Sequence, residues 1–191
     1  MTELYLVRHG ETEWSRSGQH TSVTDLPLTD VGRRQAASLN GGLNPADFGL
    51  VLSSPMRRAV DTAELAGFTG DHQAEVCDDL VEWAYGDYEG LTSEEIAERD
   101  PDWDLWRDGC PGGESPAEVV DRLTRVVGRV QNSGVDRAIA FAHGHTLRSL
   151  TLCWLGLDIV IGEQFPLHTA TLSVLGWSKG QPALEQWNAK I

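Results

Sequence analysis

Short apolar segments alternate along this chain with segments whose apolar residues recur at helical spacing. Three apolar runs, at residues 4–7, 50–53 and 138–142, are short and partly β-branched, so each predicts a buried strand. Two later segments, 171–177 and 183–187, also predict strands. Each of the first three strands runs into a polar motif, and these motifs organise the functional interpretation of the sequence.

Helix-start signals separate the predicted strands. Serine and threonine side chains accept hydrogen bonds from the free amides of a first helical turn, and four of them are placed to do so: Thr29, Ser54, Thr92 and Ser115. Pro55 follows Ser54, so that helix is predicted to start at residue 55 and to run to about residue 66. A further helix is predicted after His143.

The remaining stretches are less regular. Residues 15–27 are polar and punctuated by glycine and proline, which predicts a loop at the active face. Residues 80–90 combine aromatic and acidic side chains without a clear period. Residues 101–108 predict one or two helical turns.

The alternation of strands and helices predicts an α/β fold. We expect a three-layer α/β/α sandwich with a mostly parallel central sheet, in which the last two strands form an antiparallel edge. At 191 residues, the chain is expected to form a single domain over residues 1–191.

Composition narrows the classes of partner. The formal net charge of −14 disfavours nucleic acid and anionic membranes, because both require a basic surface. The apolar stretch 150–161 is too short to span a bilayer and contains Asp158. We therefore predict neither a nucleic-acid nor a membrane partner. A phosphorylated substrate requires a local island of positive charge.

The cysteines and the N-terminus bear on location. Three scattered cysteines do not suggest a disulfide framework and suit a reducing compartment. No basic segment followed by an apolar core opens the chain. These features predict a cytoplasmic protein. They leave its oligomeric state open, a homodimer included.

Three strand ends carry the candidate chemistry. Arg8 and His9 follow the first strand, Arg58 lies just after the second, and His143 and Gly144 follow the third. Right-handed crossovers between parallel strands bring these ends to one edge. Arginines and helix N-termini bind phosphate oxygens, and a neutral imidazole is a competent nucleophile. The pattern predicts phosphoryl chemistry without a cofactor.

A metal site is the alternative for the histidines at this edge. His143 and His145 are possible ligands, but a divalent site needs three or more ligands of suitable type. The expected neighbours are arginines, which repel a cation. We therefore predict no bound metal.

These motifs resemble those of the histidine phosphatase superfamily, also called phosphoglycerate-mutase-like. The matching segments are Arg8-His9-Gly10-Glu11-Thr12, Ser53-Ser54-Pro55-Met56-Arg57-Arg58-Ala59 and Ala142-His143-Gly144, in the order the family has them. The resemblance implies that His9 becomes a phosphohistidine and that Arg8, Arg58 and His143 hold the phosphoryl group. It also implies that Glu82 protonates the leaving oxygen and then activates water. Trp83 and Tyr85 beside Glu82 either favour its neutral form by reducing solvation or serve only in packing.

One branch is more similar, that of the fungal sedoheptulose-1,7-bisphosphatase and its bacterial acid phosphatase relatives. The resemblance implies contacts to the substrate's sugar phosphate from His20, Thr21, Trp83, Tyr85 and Arg148. We also expect substrate contacts from Ser15, Gly144 and His145. Arg148, one helical turn after Gly144, either binds a second phosphate or pairs with a surface acid. Ser15 stands where much of the superfamily has asparagine, so the outer contacts to the phosphate are expected to differ.

Three functions are compatible with these residues. The first is a phosphomonoesterase for small phosphorylated metabolites, with sugar phosphates or bisphosphates as the expected substrates. The second is a 2,3-bisphosphoglycerate-dependent phosphoglycerate mutase, which is expected to carry a longer C-terminal tail over its site. The third is a non-catalytic module that binds a phosphorylated ligand, which would not require His9 or Glu82. Both residues are present, so the first function is favoured.

Overall fold

The computed structural model describes residues 1–191 and places six strands in one mixed sheet. The strands are β1 (Glu3–Arg8), β2 (Leu50–Ser53), β3 (Glu75–Val76), β4 (Arg137–Ala142), β5 (Leu172–Ser178) and β6 (Gln181–Ala189). Their order across the sheet is β3-β2-β4-β1-β5-β6. The first four strands are parallel, whereas β5 runs antiparallel to β1 and β6 antiparallel to β5. The predicted parallel sheet with an antiparallel edge is confirmed.

Helices cover both faces of the sheet. They are α1 (Glu13–Ser17), α2 (Asp30–Ser38), α3 (Arg57–Leu65), α4 (Ser93–Arg99), α5 (Leu105–Asp108), α6 (Pro116–Gln131) and α7 (Gly144–Leu155). α6 and α7 pack together over one face, and α2 and α3 pack over the other. The predicted three-layer α/β/α sandwich is thereby confirmed.

The central strand β4 shows how the sequence separates the two cores. Because side chains alternate across a strand, Ala138, Ala140 and Ala142 face α6 and α7, while Ile139 and Phe141 face the α2–α3 side. The small alanines let α6 and α7 lie close to the sheet, whereas Phe141 fills the opposite side against Phe68.

Strand register brings the three polar motifs to one edge. Arg8 lies opposite Ala142 in the β1–β4 pair, and Ser53 lies opposite Phe141 in the β2–β4 pair. The residues that follow these strands therefore emerge side by side at the carboxyl edge of the sheet. Open α/β sheets bind ligands at this edge.

The start of α3 differs from the prediction. The helix begins at Arg57 with Met56 as its N-cap residue, not at Pro55 with Ser54 as the cap. The Ser54 hydroxyl lies 2.7 Å from Nε2 of His143, and the Ser54 amide continues the ladder to Phe141. A contact between distant segments thus overrides the local capping signal.

Two short elements were missed by the sequence analysis. α1 occupies part of the predicted loop 15–27; Thr12 and Ser15 form its capping box. β3 is a two-residue edge strand whose side chains are exposed, so it lacks the apolar pattern that marks the others. The segment predicted helical at 101–108 is helical only from Leu105, where Asp104 caps α5.

Candidate active site

A cavity of about 280 Å³ opens at the carboxyl edge of β1 and β4. Polar side chains dominate its wall, and it is lined by Arg8, His9, Thr12, Ser15, Gly18, Gln19, His20, Thr21, Glu82, Tyr85, Ser93, Gly144, His145, Arg148, Glu163 and Leu167. This volume lies at the small end of ligand pockets, which span roughly 300–1,000 Å³. The site therefore fits a small polar metabolite.

His9 presents one ring nitrogen for chemistry. Its Nδ1 lies 2.7 Å from the carbonyl oxygen of Gly10, and only a protonated Nδ1 can donate to that oxygen. The lone pair is then on Nε2. Burial, followed by the positive charges of Arg8 and Arg58, holds the pKa of His9 well below its usual range. The imidazole is consequently neutral, as a nucleophile must be.

Arg8 supplies the cation beside His9. One terminal nitrogen, Nη1, donates to the carbonyl of Leu167, whereas Nε is buried and has no partner in the protein. A buried N–H without an acceptor is costly, so this group is a candidate donor to a ligand oxygen. A Cβ at Gly144 would lie 3.3 Å from the Arg8 Cζ, so a larger residue there would press on the guanidinium.

His143 and Arg58 lie directly behind His9. The rings of His9 and His143 are 5.2 Å apart, edge to face. Arg58 Nε donates to His143 Nδ1 over 3.1 Å, so the His143 proton is on Nε2, which donates to Ser54 Oγ. Burial and then the Arg58 charge hold the pKa of His143 well below its usual range.

Arg58 also holds the loop that precedes α2. Its guanidinium is fully buried and donates to the carbonyls of Thr21, Ser22 and Thr24. The Glu89 carboxylate accepts hydrogen bonds from the amides of Ser22 and Thr24 in the same loop. These contacts fix the wall that carries His20 and Thr21.

The Glu82 carboxyl group lies at the N-terminus of α7. Its Oε1 accepts from the amides of Trp83 and Thr146 and contacts the Thr146 hydroxyl, while Oε2 accepts only from the His145 amide at 3.0 Å. The free amides of a helix N-terminus are natural partners for a carboxylate. Oε2 therefore has a free lone pair at which it can bind a proton and exchange it with a substrate.

A buried ion pair holds the segment that carries Glu82. Arg122 on α6 pairs with Glu114 at 2.7 Å and also donates to the carbonyls of Asp79 and Val81. Glu114 accepts from the amide of Ala84. The segment is therefore bound on both sides of Glu82.

The far end of the cavity is lined by aromatic and basic side chains. The Tyr85 hydroxyl lies 2.6 Å from His145 Nδ1, and the His145 ring stacks on His20 with centroids 6.0 Å apart. Burial, followed by the charge of Glu82, raises the pKa of Tyr85 well above its usual range, so the hydroxyl keeps its proton. Arg148 lies over the Trp106 ring, with its Cζ 4.6 Å from the centroid.

Two further findings concern the whole chain. None of the helices combines the length and apolar character needed to cross a bilayer. No three or more histidine, cysteine, aspartate or glutamate side chains gather into a group that could hold a metal ion.

Comparison with known proteins identifies the architecture. A family model described as the histidine phosphatase superfamily (branch 1) matches residues 4–190. The chain belongs to this superfamily. It is therefore an enzyme that hydrolyses phosphate esters.

Individual histidine phosphatases match over most of their length. An acid phosphatase of Mycobacterium tuberculosis is 44% identical over 181 residues, covering 93% of this chain and 87% of the relative. A sedoheptulose 1,7-bisphosphatase of Saccharomyces cerevisiae is 39% identical, covering 81% and 68% respectively. A solved structure of an open reading frame from Mycobacterium tuberculosis superposes with a TM-score of 0.92 at 39% identity, covering 99% of this chain and 98% of the other.

Most of the predicted site residues of this histidine phosphatase meet at the cavity. Those on its wall are Arg8, His9, Ser15, His20, Thr21, Glu82, Tyr85, Gly144, His145 and Arg148. Arg58 and His143 do not line the wall and contact each other behind His9.

Trp83 does not reach the cavity, contrary to its predicted role in substrate binding. Its side chain is fully buried, packs edge to face on Trp106 and donates its indole N–H to the Glu114 carbonyl. Trp83 therefore packs in the core although it adjoins Glu82, which lines the cavity.

Sequence analysis also missed several residues of the site, Ser54 and Glu163 among them. Ser54 contacts His143, although its sequence context indicated a helix cap. Glu163 lines the cavity from the 3₁₀ turn Ile159–Gln164, a segment without a recognisable motif. The pairing of Glu163 with Arg148 corresponds to the surface-acid alternative stated for that arginine.

Proposed function

We propose that this enzyme is a metal-independent phosphomonoesterase that acts through a phosphohistidine on His9. The proposal rests on one observation: a nucleophile lies beside a hydrogen-bond donor that has no partner in the protein. His9 has its proton on the Gly10 side and its lone pair on Nε2, while the adjacent Arg8 Nε is buried without an acceptor. A phosphoryl group would satisfy both atoms at once.

In the first step, His9 Nε2 attacks the phosphorus and the bond from phosphorus to the ester oxygen breaks. Glu82 gives a proton from Oε2 to the departing alkoxide. Arg8 stabilises the negative charge that spreads over the phosphoryl oxygens. The products of this step are the free alcohol, the Glu82 carboxylate and a phosphohistidine.

In the second step, the Glu82 carboxylate takes a proton from a water molecule, which attacks the phosphorus. The bond between phosphorus and Nε2 breaks, inorganic phosphate leaves, and both His9 and the protonated Glu82 are restored. The amides of Trp83, His145 and Thr146 donate hydrogen bonds to the Glu82 carboxylate that the first step leaves.

Arg58 and His143 complete the proposed phosphate site from behind. His143 Nε2 bonds to Ser54 Oγ in the absence of a ligand. For His143 to contact a phosphoryl oxygen directly, its Nε2–H must break the hydrogen bond to Ser54 Oγ and donate to the phosphate instead. Arg58 then keeps His143 in the required tautomer through its Nε–Nδ1 hydrogen bond.

We propose small phosphorylated sugars as the substrate class. The cavity wall is rich in hydroxyl, imidazole and guanidinium groups, which suit a polyhydroxylated leaving group rather than an apolar one. Relatives named for such substrates include the yeast sedoheptulose 1,7-bisphosphatase and a mycobacterial glucosyl-3-phosphoglycerate phosphatase. A solved mycobacterial enzyme of the latter name, complexed with VO3, superposes with a TM-score of 0.87 at 28% identity.

We also propose that the enzyme is a single domain in the cytoplasm, where its three free cysteines stay reduced.

Phosphate release tests the proposal. Wild type and His9→Ala are assayed in EDTA against sugar monophosphates, sugar bisphosphates, 3-phosphoglycerate and p-nitrophenyl phosphate. We expect release that persists in EDTA and falls by about 10⁴-fold or more in His9→Ala. Activity that is lost in EDTA but kept in the variant would contradict the mechanism. Isomerisation of 3-phosphoglycerate without phosphate release would indicate a mutase.

A further inference from the structure

The far end of the cavity contains a guanidinium that is already largely occupied. Arg148 donates from Nε and Nη2 to the carbonyl oxygen of Gly162, at 2.9 and 2.6 Å. The same Nη2 also pairs with Glu163 Oε2 at 3.3 Å. Only Nη1 has no partner in the protein. A bidentate contact to a phosphate needs two free donors on one edge of the guanidinium, and Arg148 does not offer them.

Glu163 is held in place beside this arginine. Its Oε2 also accepts the indole N–H of Trp106 at 3.1 Å, so two donors converge on one carboxylate oxygen. The preceding Gly162 lies against the Trp106 ring so closely that a Cβ there would be 2.2 Å from a ring carbon. The Glu163 side chain is 80% exposed, which places its negative charge at the cavity mouth.

The His145 imidazole carries no positive charge that could substitute for the Arg148 charge offset by Glu163. Burial, followed by the charges of Arg148 and His20, holds the pKa of His145 well below its usual range, so His145 is neutral. Its Nδ1 is also occupied by the Tyr85 hydroxyl. Arg148 is thus the guanidinium available at this end, and Glu163 offsets its charge.

We propose that Glu163 is a specificity-determining residue that disfavours a second anionic group at the far end of the substrate. This inference rests on the proposed function, since the first phosphate is taken to lie at His9. The favoured substrates are monophosphates whose far end carries hydroxyl groups, which Arg148 Nη1 can orient through one hydrogen bond. Sugar bisphosphates meet the Glu163 carboxylate where their second phosphate would bind.

Binding to a variant that cannot turn over substrate tests this inference directly. Calorimetric titrations of His9→Ala measure the affinities for fructose 1-phosphate, fructose 6-phosphate and fructose 1,6-bisphosphate. The same titrations are repeated after adding Glu163→Gln, which removes the charge but keeps the shape. We expect the ratio of bisphosphate to monophosphate affinity to rise about fivefold, a modest effect because an exposed charge is screened.

Two matched variants isolate the effect. Glu64→Gln removes an exposed glutamate on α3 that lines no part of this cavity, and it should leave the ratio unchanged. Adding Arg148→Gln to Glu163→Gln should abolish the gain, because the gain comes from the released guanidinium. In wild type, kcat/KM should be no higher for the bisphosphate than for the better monophosphate.

Several outcomes would overturn the inference. One is a bisphosphate affinity in His9→Ala that already exceeds both monophosphate affinities by tenfold. Others are an unchanged ratio in Glu163→Gln and an equal rise in Glu64→Gln. If the ratio shifts as expected but wild type releases no phosphate from any ester, the proposed hydrolysis fails while the role of Glu163 in selecting ligands stands.

Discussion

The two ends of the cavity are built in different ways. At the His9 end, the reactive groups are buried, and the partners that orient them are mainly backbone atoms at a strand end and a helix N-terminus. At the Arg148 end, the guanidinium donates to the Gly162 carbonyl and to the Glu163 side chain, which also contacts Trp106, and the Glu163 charge reaches solvent. Rigid backbone partners suit a reaction that is common to all substrates, whereas side-chain contacts near solvent suit discrimination among them.

The two ends of the cavity also differ in how strongly solvent screens their charges. Charges and dipoles interact strongly at the buried His9 end, because little solvent screens them. At the exposed end, salt and water weaken the same interactions. We therefore expect substitutions near His9 to lower kcat for every ester. Those near Arg148 should change KM and the ranking of substrates.

Among substitutions that keep His9, the largest effect should come from Glu82→Gln. Glutamine has nearly the same shape but cannot deliver a proton, so kcat for a sugar phosphate should fall by roughly 10²–10⁴-fold. Formation of the phosphoenzyme from p-nitrophenyl phosphate should slow much less, since its leaving group needs little protonation, whereas the later attack by water slows equally for both esters. Pre-steady-state measurement of the first release of alcohol from both esters checks this, with thermal melting as the control for folding. Equal losses in this first step with the two esters would mean that Glu82 does not act as the acid.

A smaller effect is expected from Tyr85→Phe, which removes the hydroxyl that bonds to His145. One hydrogen bond contributes about 0.5–1.5 kcal/mol, so KM for a sugar phosphate should rise roughly 2- to 10-fold with little change in kcat. Tyr88→Phe is the matched control, because the Tyr88 hydroxyl contacts Asp100 outside the cavity. A fall in kcat without a change in KM would place Tyr85 in the chemistry instead.

The smallest perturbation is a change of pH in the free enzyme. The lowered pKa of His9 means that its imidazole stays neutral as the pH falls below about 6.5, where an ordinary histidine becomes charged. Nitrogen-resolved NMR of the imidazoles should show His9 neutral at pH 5.5, with its proton on Nδ1. A His9 signal that titrates near pH 6.5, or a proton on Nε2, would contradict the geometry described for the nucleophile.

The sequence predicted the His9 end far better than the Arg148 end, for a physical reason. Arg8, His9 and His143 directly follow apolar strands, and parallel strands must end at a common edge. Local pattern and chain topology are sufficient to bring such residues together. The family resemblance then indicated a role for each of them.

The errors concern contacts that no local pattern encodes. Ser54 is followed by proline, yet its hydroxyl contacts His143, which is 89 residues away in the chain. Glu163 reaches the site only because Gly162 allows its 3₁₀ turn to lie against Trp106. Trp83 adjoins Glu82 in sequence but faces the core. These placements depend on packing between distant segments and on the direction of individual side chains.

The most direct test of the account is to trap the phosphoenzyme. Wild type would be mixed with a phosphorylated sugar, quenched in alkali within milliseconds and digested, because phosphohistidine survives in alkali but not in acid. We predict that phosphate is found on the peptide containing His9 and is absent from that peptide in His9→Ala. Turnover without a phosphorylated His9, or phosphate on another residue, would contradict the central claim.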